Sequence, residues 1–128
     1  MSDFSYDLMK KALDASSLRQ EAISSNIANA NTPNYKVNKV EFEDLFAQIL
    51  DKNGITLNKT NERHFGISGI HDIQPVVEKR ESTSVNDNGN NVDIDMEMTN
   101  LAANEIYYNA LIQQVNTKLG NLNYVINR

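Results

Sequence analysis

Residues 98–126 read MTNLAANEIYYNALIQQVNTKLGNLNYVI, and within them Met98, Leu101, Glu105, Tyr108, Ile112, Val115, Leu119, Leu122 and Ile126 fall at alternating steps of three and four. Only Glu105 interrupts the apolar run. A seven-residue repeat held for about four cycles marks a helix that lays one stripe along a partner as a left-handed coiled coil. At about 1.5 Å per residue, a helix from Met96 to the last residue spans roughly 45 Å. A seam that long needs a partner of comparable length. Glu105 either pairs across the interface with a basic residue or lies where the helix is exposed; the spacing leaves both readings open.

The only internal candidate for that partner is the other end of the chain. From about Ser2 to Ala30 there is neither glycine nor proline, and Phe4, Leu8, Ala12, Ala15, Leu18, Ala22, Ile23, Ile27 and Ala30 recur mostly every three or four residues. That is an amphipathic helix, thin because alanine supplies much of its stripe. It should stop between Asn29 and Pro33, since proline disfavours helical geometry at Thr32 and asparagine tolerates the left-handed conformation that ends helices. A second short helix is expected over Lys39 to Leu50, where Val40, Phe42, Leu45, Phe46, Ile49 and Leu50 are apolar, with Asn53-Gly54 as the turn beyond it. From Ile55 to Asn91 helical periodicity is lost. Short strand-like pieces, Ile55 to Leu57, Phe65 to Ile70 and Ile73 to Glu78, lead to a turn at Asn88-Gly89. The expected architecture is mainly α. Long N- and C-terminal helices pair as an antiparallel coiled coil, with a small irregular or β insertion between them. Residues 1–50 hold the first helix and its short successor, 51–92 the insertion, and 93–128 the heptad helix, which forms one structural unit with 1–35.

Composition narrows the function. The 128 residues contain no tryptophan, five glycines and two prolines, and asparagine supplies about one residue in seven. A net charge of −5, mixed along the chain, provides no basic stripe for nucleic acid. Without cysteine there can be no disulfide and no thiolate metal site. The opening MSDFSYDLMKKALD has no apolar stretch of signal-peptide length, and no window approaches the roughly 18 to 20 apolar residues that cross a bilayer. Direct insertion into lipid is therefore not expected.

The chemistry of catalysis is missing as well. His64 and His71, seven residues apart outside any helix, have no compact ligand motif around them. Aligning Gly89 with the invariant glycine of a calcium loop puts Ser84 first and Asp95 last, where Asp and Glu are needed. Carboxylates at Asp93, Asp95 and Glu97 suit a helix N-terminus better. Ser16-Ser17, Ser24-Ser25 and Ser82 to Ser84 lie in no nucleophile elbow, and Gly66 and Gly69 are followed by no Lys-Ser or Lys-Thr that would cradle phosphate. Asn58-Lys59-Thr60 matches a glycosylation sequon, a pattern short enough to arise by chance. No catalytic residue, metal site or cofactor is expected, and no enzyme.

The end of the first helix, Ser24-Ser25-Asn26-Ile27-Ala28-Asn29-Ala30-Asn31-Thr32-Pro33-Asn34-Tyr35, resembles the signature of the flagellar rod, hook and hook-associated axial proteins. In that family an Asn-[Leu/Ile]-Ala-Asn run closes the N-terminal helix and is followed by Thr, a turn residue and Tyr. The matching positions here are Asn26, Ile27, Ala28, Asn29, Thr32, Pro33, Asn34 and Tyr35. Asn34 stands where glycine is commonest, a mild departure given its tolerance of positive φ. The length is that of proximal-rod subunits, and Asn88 to Met98, Thr60, His64 and Asn104 to Tyr107 are similar to the B-type proximal rod protein. The resemblance implies a structural subunit of the bacterial basal-body rod, needed for motility. It implies export through the flagellar type III apparatus without a cleaved signal. It further implies assembly, with copies of itself and other rod proteins, on the inner-membrane ring through the rod-base junction protein. The rod carries torque to the hook. A coiled-coil adaptor or secretion chaperone would explain the heptads but not the Asn-Ile-Ala-Asn…Thr-Pro-Asn-Tyr motif.

Overall fold

The computed structural model describes residues 4–44, 47, 74–81, 87 and 89–127. Among the described residues four elements follow one another: α1 (Phe4–Ala28), β1 (Asn38–Glu41), β2 (Val76–Lys79) and α2 (Ile94–Ile126). The two helices pack on each other, and the two strands form a small antiparallel sheet between them in sequence, with β1 against α1. This is the mainly α architecture expected, a pair of terminal helices with a small β element inserted. The pair is antiparallel: Asn26 near the end of α1 meets Glu97 near the start of α2, and Ser16 meets Asn104 further along.

Each boundary has a local cause. Asp93 caps α2, with extended backbone (φ −105°, ψ 108°) and a carboxylate that accepts from Met96 N at 3.2 Å. Asp95 and Glu97 follow in the first turn, where the helix dipole favours negative charge. α1 unwinds through Ala30 N donating to Ile27 O, a tighter three-residue spacing, before Tyr35 N donates to Thr32 O across Pro33-Asn34. Asn34 sits at φ 59°. Proline followed by a positive-φ residue is the pattern of a type II turn, and asparagine bears that conformation better than a branched residue would.

Over Lys39 to Leu50 the expectation of a helix is corrected at its start. Asn38–Glu41 is strand, in register with Val76–Lys79 so that Val40 faces Val77 and Lys39 faces Glu78. The deciding pattern is period two: Val40 and Phe42 are buried while Lys39 and Glu43 are exposed. Helical turn begins only at Glu43 and Asp44. β2 overlaps the expected strand at Ile73 to Glu78, shifted towards its C-terminal side. Leu45, Phe46, Ile49, Leu50, the turn at Asn53-Gly54, the pieces at Ile55 to Leu57 and Phe65 to Ile70, the sequon at Asn58, Thr60, His64, His71, Ser82 to Ser84 and Asn88 lie outside the described residues.

The apolar interior is modest and divided. Ala12, Ala15 and Phe42 form one buried cluster, flanked by Leu8 and Leu111, where β1 runs off under the helix pair. Ala30, Val37 and Val92 form the other, flanked by Tyr35. Because so many of these residues are alanine or valine, the area they remove from water is small. Much of what defines the fold is polar instead.

Candidate assembly motif and helix faces

Four asparagines organise the junction where α1, the sheet and α2 meet. Asn26 is fully buried and uses its whole amide. Its nitrogen donates to Asn38 O (2.9 Å) and to Glu97 Oε2 (3.1 Å); its oxygen accepts from Asn38 N (2.9 Å) and from the Tyr35 hydroxyl (3.2 Å). Pairing both with N–H and C=O of Asn38, the side chain imitates a neighbouring strand. The Tyr35 hydroxyl also meets Ser25 Oγ and receives Asn38 Nδ2. Asn29 folds back on its own helix, Nδ2 donating to Ser25 O at 2.8 Å, while its Oδ1 accepts from Thr32 Oγ1.

Asn90 and Asn91 complete the junction from the other end of the chain. The Asn90 amide nitrogen donates to three carbonyls in the turn just beyond α1: Asn29 O (2.9 Å), Ala30 O (3.0 Å) and Thr32 O (2.9 Å). Its oxygen accepts from Val92 N at 2.6 Å. A helix C-terminus is usually closed by backbone or water; here a side chain some sixty residues away does it. Asn91 slots between the two strands just past their ladder. Arg80 N donates directly to Val37 O, whereas Val37 N and Arg80 O are bridged through Asn91 Oδ1 (2.7 Å) and Nδ2 (2.6 Å). Gly89 precedes this pair at φ 80°, and a Cβ on it would lie 2.4 Å from Asn34 Oδ1. Lys36 Nζ donates to Gly89 O and ties the same turn to the strand.

The motif read from sequence therefore turns its polar groups inward. Asn26, Asn29 and Tyr35 hold the chain to itself, and Ala28, Thr32, Pro33 and Asn34 are the motif positions left exposed, with Ile27 half-buried. In the sequence, Asn90 and Asn91 stand out only as part of the turn and helix entry from Asn88 to Met98; nothing there marks them as partners of the end of α1.

The seam on α2 divides in a comparable way. Leu101, Ile112 and Val115 are half-buried against the helix pair. Met98, Glu105, Tyr108, Leu119, Leu122 and Ile126 are exposed, Ile126 by 79%. The positions buried at the start of α2 are instead Glu97 and Asn104, one step back from Met98 and Glu105, with Leu111 and Lys118 continuing that row half-buried. Glu105 itself is exposed in the single chain. Much of the heptad stripe thus lies on a face that α1 does not cover. From Met98 to Asn127 only Glu105 and Lys118 are charged, whereas α1 carries Asp7, Lys10, Lys11, Asp14, Arg19 and Glu21.

α2 also outruns its partner. With Ser16 opposite Asn104, Phe4 stands opposite residue 116 or so, and roughly ten residues, about 15 Å, continue past it. Leu119, Leu122, Tyr124, Val125 and Ile126 in that extension are 45–79% exposed.

A groove of about 600 Å³ separates α1, β1 and the first turns of α2, with Ile23, Val40, Met96 and Tyr107 on its walls. Arg19 crosses its rim to the Glu43 carboxylate, 2.8 Å to each oxygen. Burial, then the Glu43 charge, push the Tyr107 hydroxyl above the usual tyrosine range, with Arg19 opposing. On β1, the hydrogen bond and charge of Glu41 raise Lys39 above its ordinary value. No group of histidine and carboxylate residues among the described ones could hold a metal ion, and no described helix is long and apolar enough to cross a membrane.

A family profile described as "Flagella basal body rod protein" matches residues 10–36, all of α1 but its first six residues, and the motif. The flagellar basal body rod protein FlgB of Bacillus subtilis is 40% identical over 118 residues, which cover 92% of this chain and 89% of that one. Its counterpart from Borreliella burgdorferi is 39% identical over 119 residues, covering 87% and 88%. The chain belongs to the FlgB family. Another member, from Proteus mirabilis, is 28% identical over 126 residues, 94% of this chain and 92% of the other. The protein is accordingly a structural subunit of the flagellar basal-body rod, a part of the motility apparatus and not an enzyme. In FlgB terms, the profile stops at the turn just described, and the two elements that complete it, Asn90-Asn91 and Glu97, lie beyond the matched stretch.

Proposed function

We propose that this rod subunit polymerises, with copies of itself and with other rod proteins, through the uncovered face and free end of α2. The product is the proximal shaft between the inner-membrane ring and the hook. The observation that supports this most is the extension of α2: a helix end exposing five large apolar residues in a stretch almost free of charge. Interface cores are depleted of charged residues and enriched in aromatic and aliphatic ones. A surface made to stay in water would carry far more Lys and Glu. The same patch on every copy, meeting a different patch on its neighbour, generates an open helical array when the rotation between copies does not close into a ring.

The stripe Met98, Leu101, Glu105, Tyr108, Ile112, Val115, Leu119, Leu122 and Ile126 then serves two contacts. Its half-buried members face α1, and its exposed members meet neighbours. The motif Asn26 to Tyr35 acts on assembly indirectly, by holding α1, the sheet and α2 at one angle. Torque transmission requires a stiff tube, and long helices held at a fixed angle supply stiffness. The subunit reaches the rod by the flagellar type III apparatus without signal cleavage and begins it at the rod-base junction protein.

The test joins a host experiment to a biochemical one. Cells lacking the gene should be non-motile, with inner-membrane rings but no rod. A chain ending at Lys118 should fail to restore the rod and fail to associate in sedimentation, while keeping the melting temperature of the full chain. Normal motility in the deletion strain, or a full-length protein that stops at one small closed oligomer in the presence of other rod subunits, would refute the reading.

A further inference from the structure

We infer that two polar keys, buried Ser16 and Asn104 with exposed Gln20 beside them, and buried Asn26 with Glu97, choose the register of α1 on α2, a choice that apolar packing leaves open. Of the four buried apolar residues described within α1, Ala12, Ala15, Ala22 and Ile23, three are alanine. Alanines are nearly interchangeable knobs, so sliding one helix past the other by a heptad replaces one small contact with a similar one. The polar residues are not interchangeable. Ser16 Oγ donates to Asn104 Oδ1 at 3.0 Å, and Asn104 Nδ2 donates back to Ser16 O and across to Gln20 Oε1, both at 3.0 Å. Ser16 and Asn104 are buried, and so are Asn26 and Glu97 at the second key.

A slide of seven residues undoes both keys together. In one direction Asn104 comes to face Ile23; in the other it comes to face Met9. Either way a buried amide loses its complement, which lowers the population of the slipped pair by roughly 10- to 100-fold for each such group. A single polar residue in a coiled-coil seam is known to set register at some cost in stability. Here the consequence extends outward. Fixing the register fixes the height of Leu119 to Ile126 above the sheet, and hence where the exposed end of the helix meets its surroundings.

The test uses the full chain, which has no native cysteine. Nitroxide labels are placed at the exposed positions Glu21 and Asn121 by Glu21→Cys and Asn121→Cys, in a background otherwise unchanged. Glu21 lies near residue 101 on α2, so the labels stand about 30 Å apart along the axis, and a heptad slide moves that separation by about 10 Å. The parent should give one narrow distance distribution by pulsed electron paramagnetic resonance. Ser16→Ala with Asn104→Leu and Glu97→Met should retain helix content and add a second population displaced by about 10 Å. The comparison variant Leu111→Ala, which thins the apolar contact and leaves both keys, should keep one population. A single undisplaced peak in the keyless variant overturns the inference, as does an equal broadening in the Leu111→Ala variant. A featureless distribution from the parent overturns it too, since no register would then exist to be chosen.

Discussion

Replacing Asn90 tests whether a remote side chain really closes α1. In the Asn90→Ala variant three carbonyls and one N–H lose the amide at once. They do not lose equally. Asn29 O still accepts from Thr32 N, and Thr32 O from Tyr35 N. The loss falls mainly on Ala30 O and on Val92 N, in an environment where Ala30, Asn90 and Val92 are all buried. A buried group deprived of its partner costs about 1–3 kcal/mol, so the variant should lose about 3 kcal/mol in all. For a domain whose stability is of order 5–15 kcal/mol, that is a large share. With a urea dependence of about 1.5 kcal/mol per molar, the unfolding midpoint should fall by about 2 M. The assay is urea unfolding followed by circular dichroism and tyrosine fluorescence, read where the two transitions coincide. Asn90→Asp separates the donor from the volume: it keeps an acceptor for Val92 N but points a carboxylate at three carbonyls. It should be at least as damaging as alanine. An Asn90→Asp midpoint within about 0.3 M of the parent, equivalent to about 0.5 kcal/mol, would refute the claim that donation to the end of α1 is what Asn90 contributes.

Three further outcomes follow from single contacts. Gly89→Ala should destabilise by about 1–2 kcal/mol from its positive φ alone, and by more because Asn34 Oδ1 must move; adding Asn34→Gly should restore only the steric part, as a double-mutant cycle of thermal melts would show. Glu43→Gln removes the partner of Arg19, but Glu43 is 61% exposed, so stability should change by no more than about 0.5 kcal/mol. Tyr107 carries a raised pKa, so its contribution is intact below the ordinary tyrosine value and is lost as pH rises through its folded one. In an alkaline ultraviolet titration the Tyr107→Phe variant should lack a component that ionises above the ordinary tyrosine value, and Glu43→Gln should bring that component to lower pH.

Some of this molecule is local and could be read without a structure. The proline at residue 33 and the asparagine run before it end α1 whatever they pack against, because they act through φ, ψ and a missing N–H. Asp93 caps α2 by reaching its own backbone three residues on. The three-four spacing of apolar residues is likewise a property of one helix. The helical nature of both termini was legible on these grounds, and the rod family through the resemblance carried by Asn26 to Tyr35.

Other features belong to no single segment. Val40 and Phe42 alternate with charged residues over a span too short to separate strand from helix, and the strand exists because Val76–Lys79, some thirty-five residues later, offers it a ladder. The phase of the helix interface could not be read from apolarity either. Hydrophobic spacing favours Met98 and Glu105 as seam positions, yet Glu97 and Asn104 are the buried ones. They are buried because the face of α1 they meet supplies Asn26, Ser16 and Gln20 in hydrogen-bonding reach. A polar residue becomes interior only when another part of the chain completes its hydrogen bonds, and that complement is a fact about three dimensions. By itself the sequence determined where the two terminal helices run and where α1 stops; the tertiary structure decided that Asn38–Glu41 is strand, which faces of the helices meet each other and which α1 leaves uncovered.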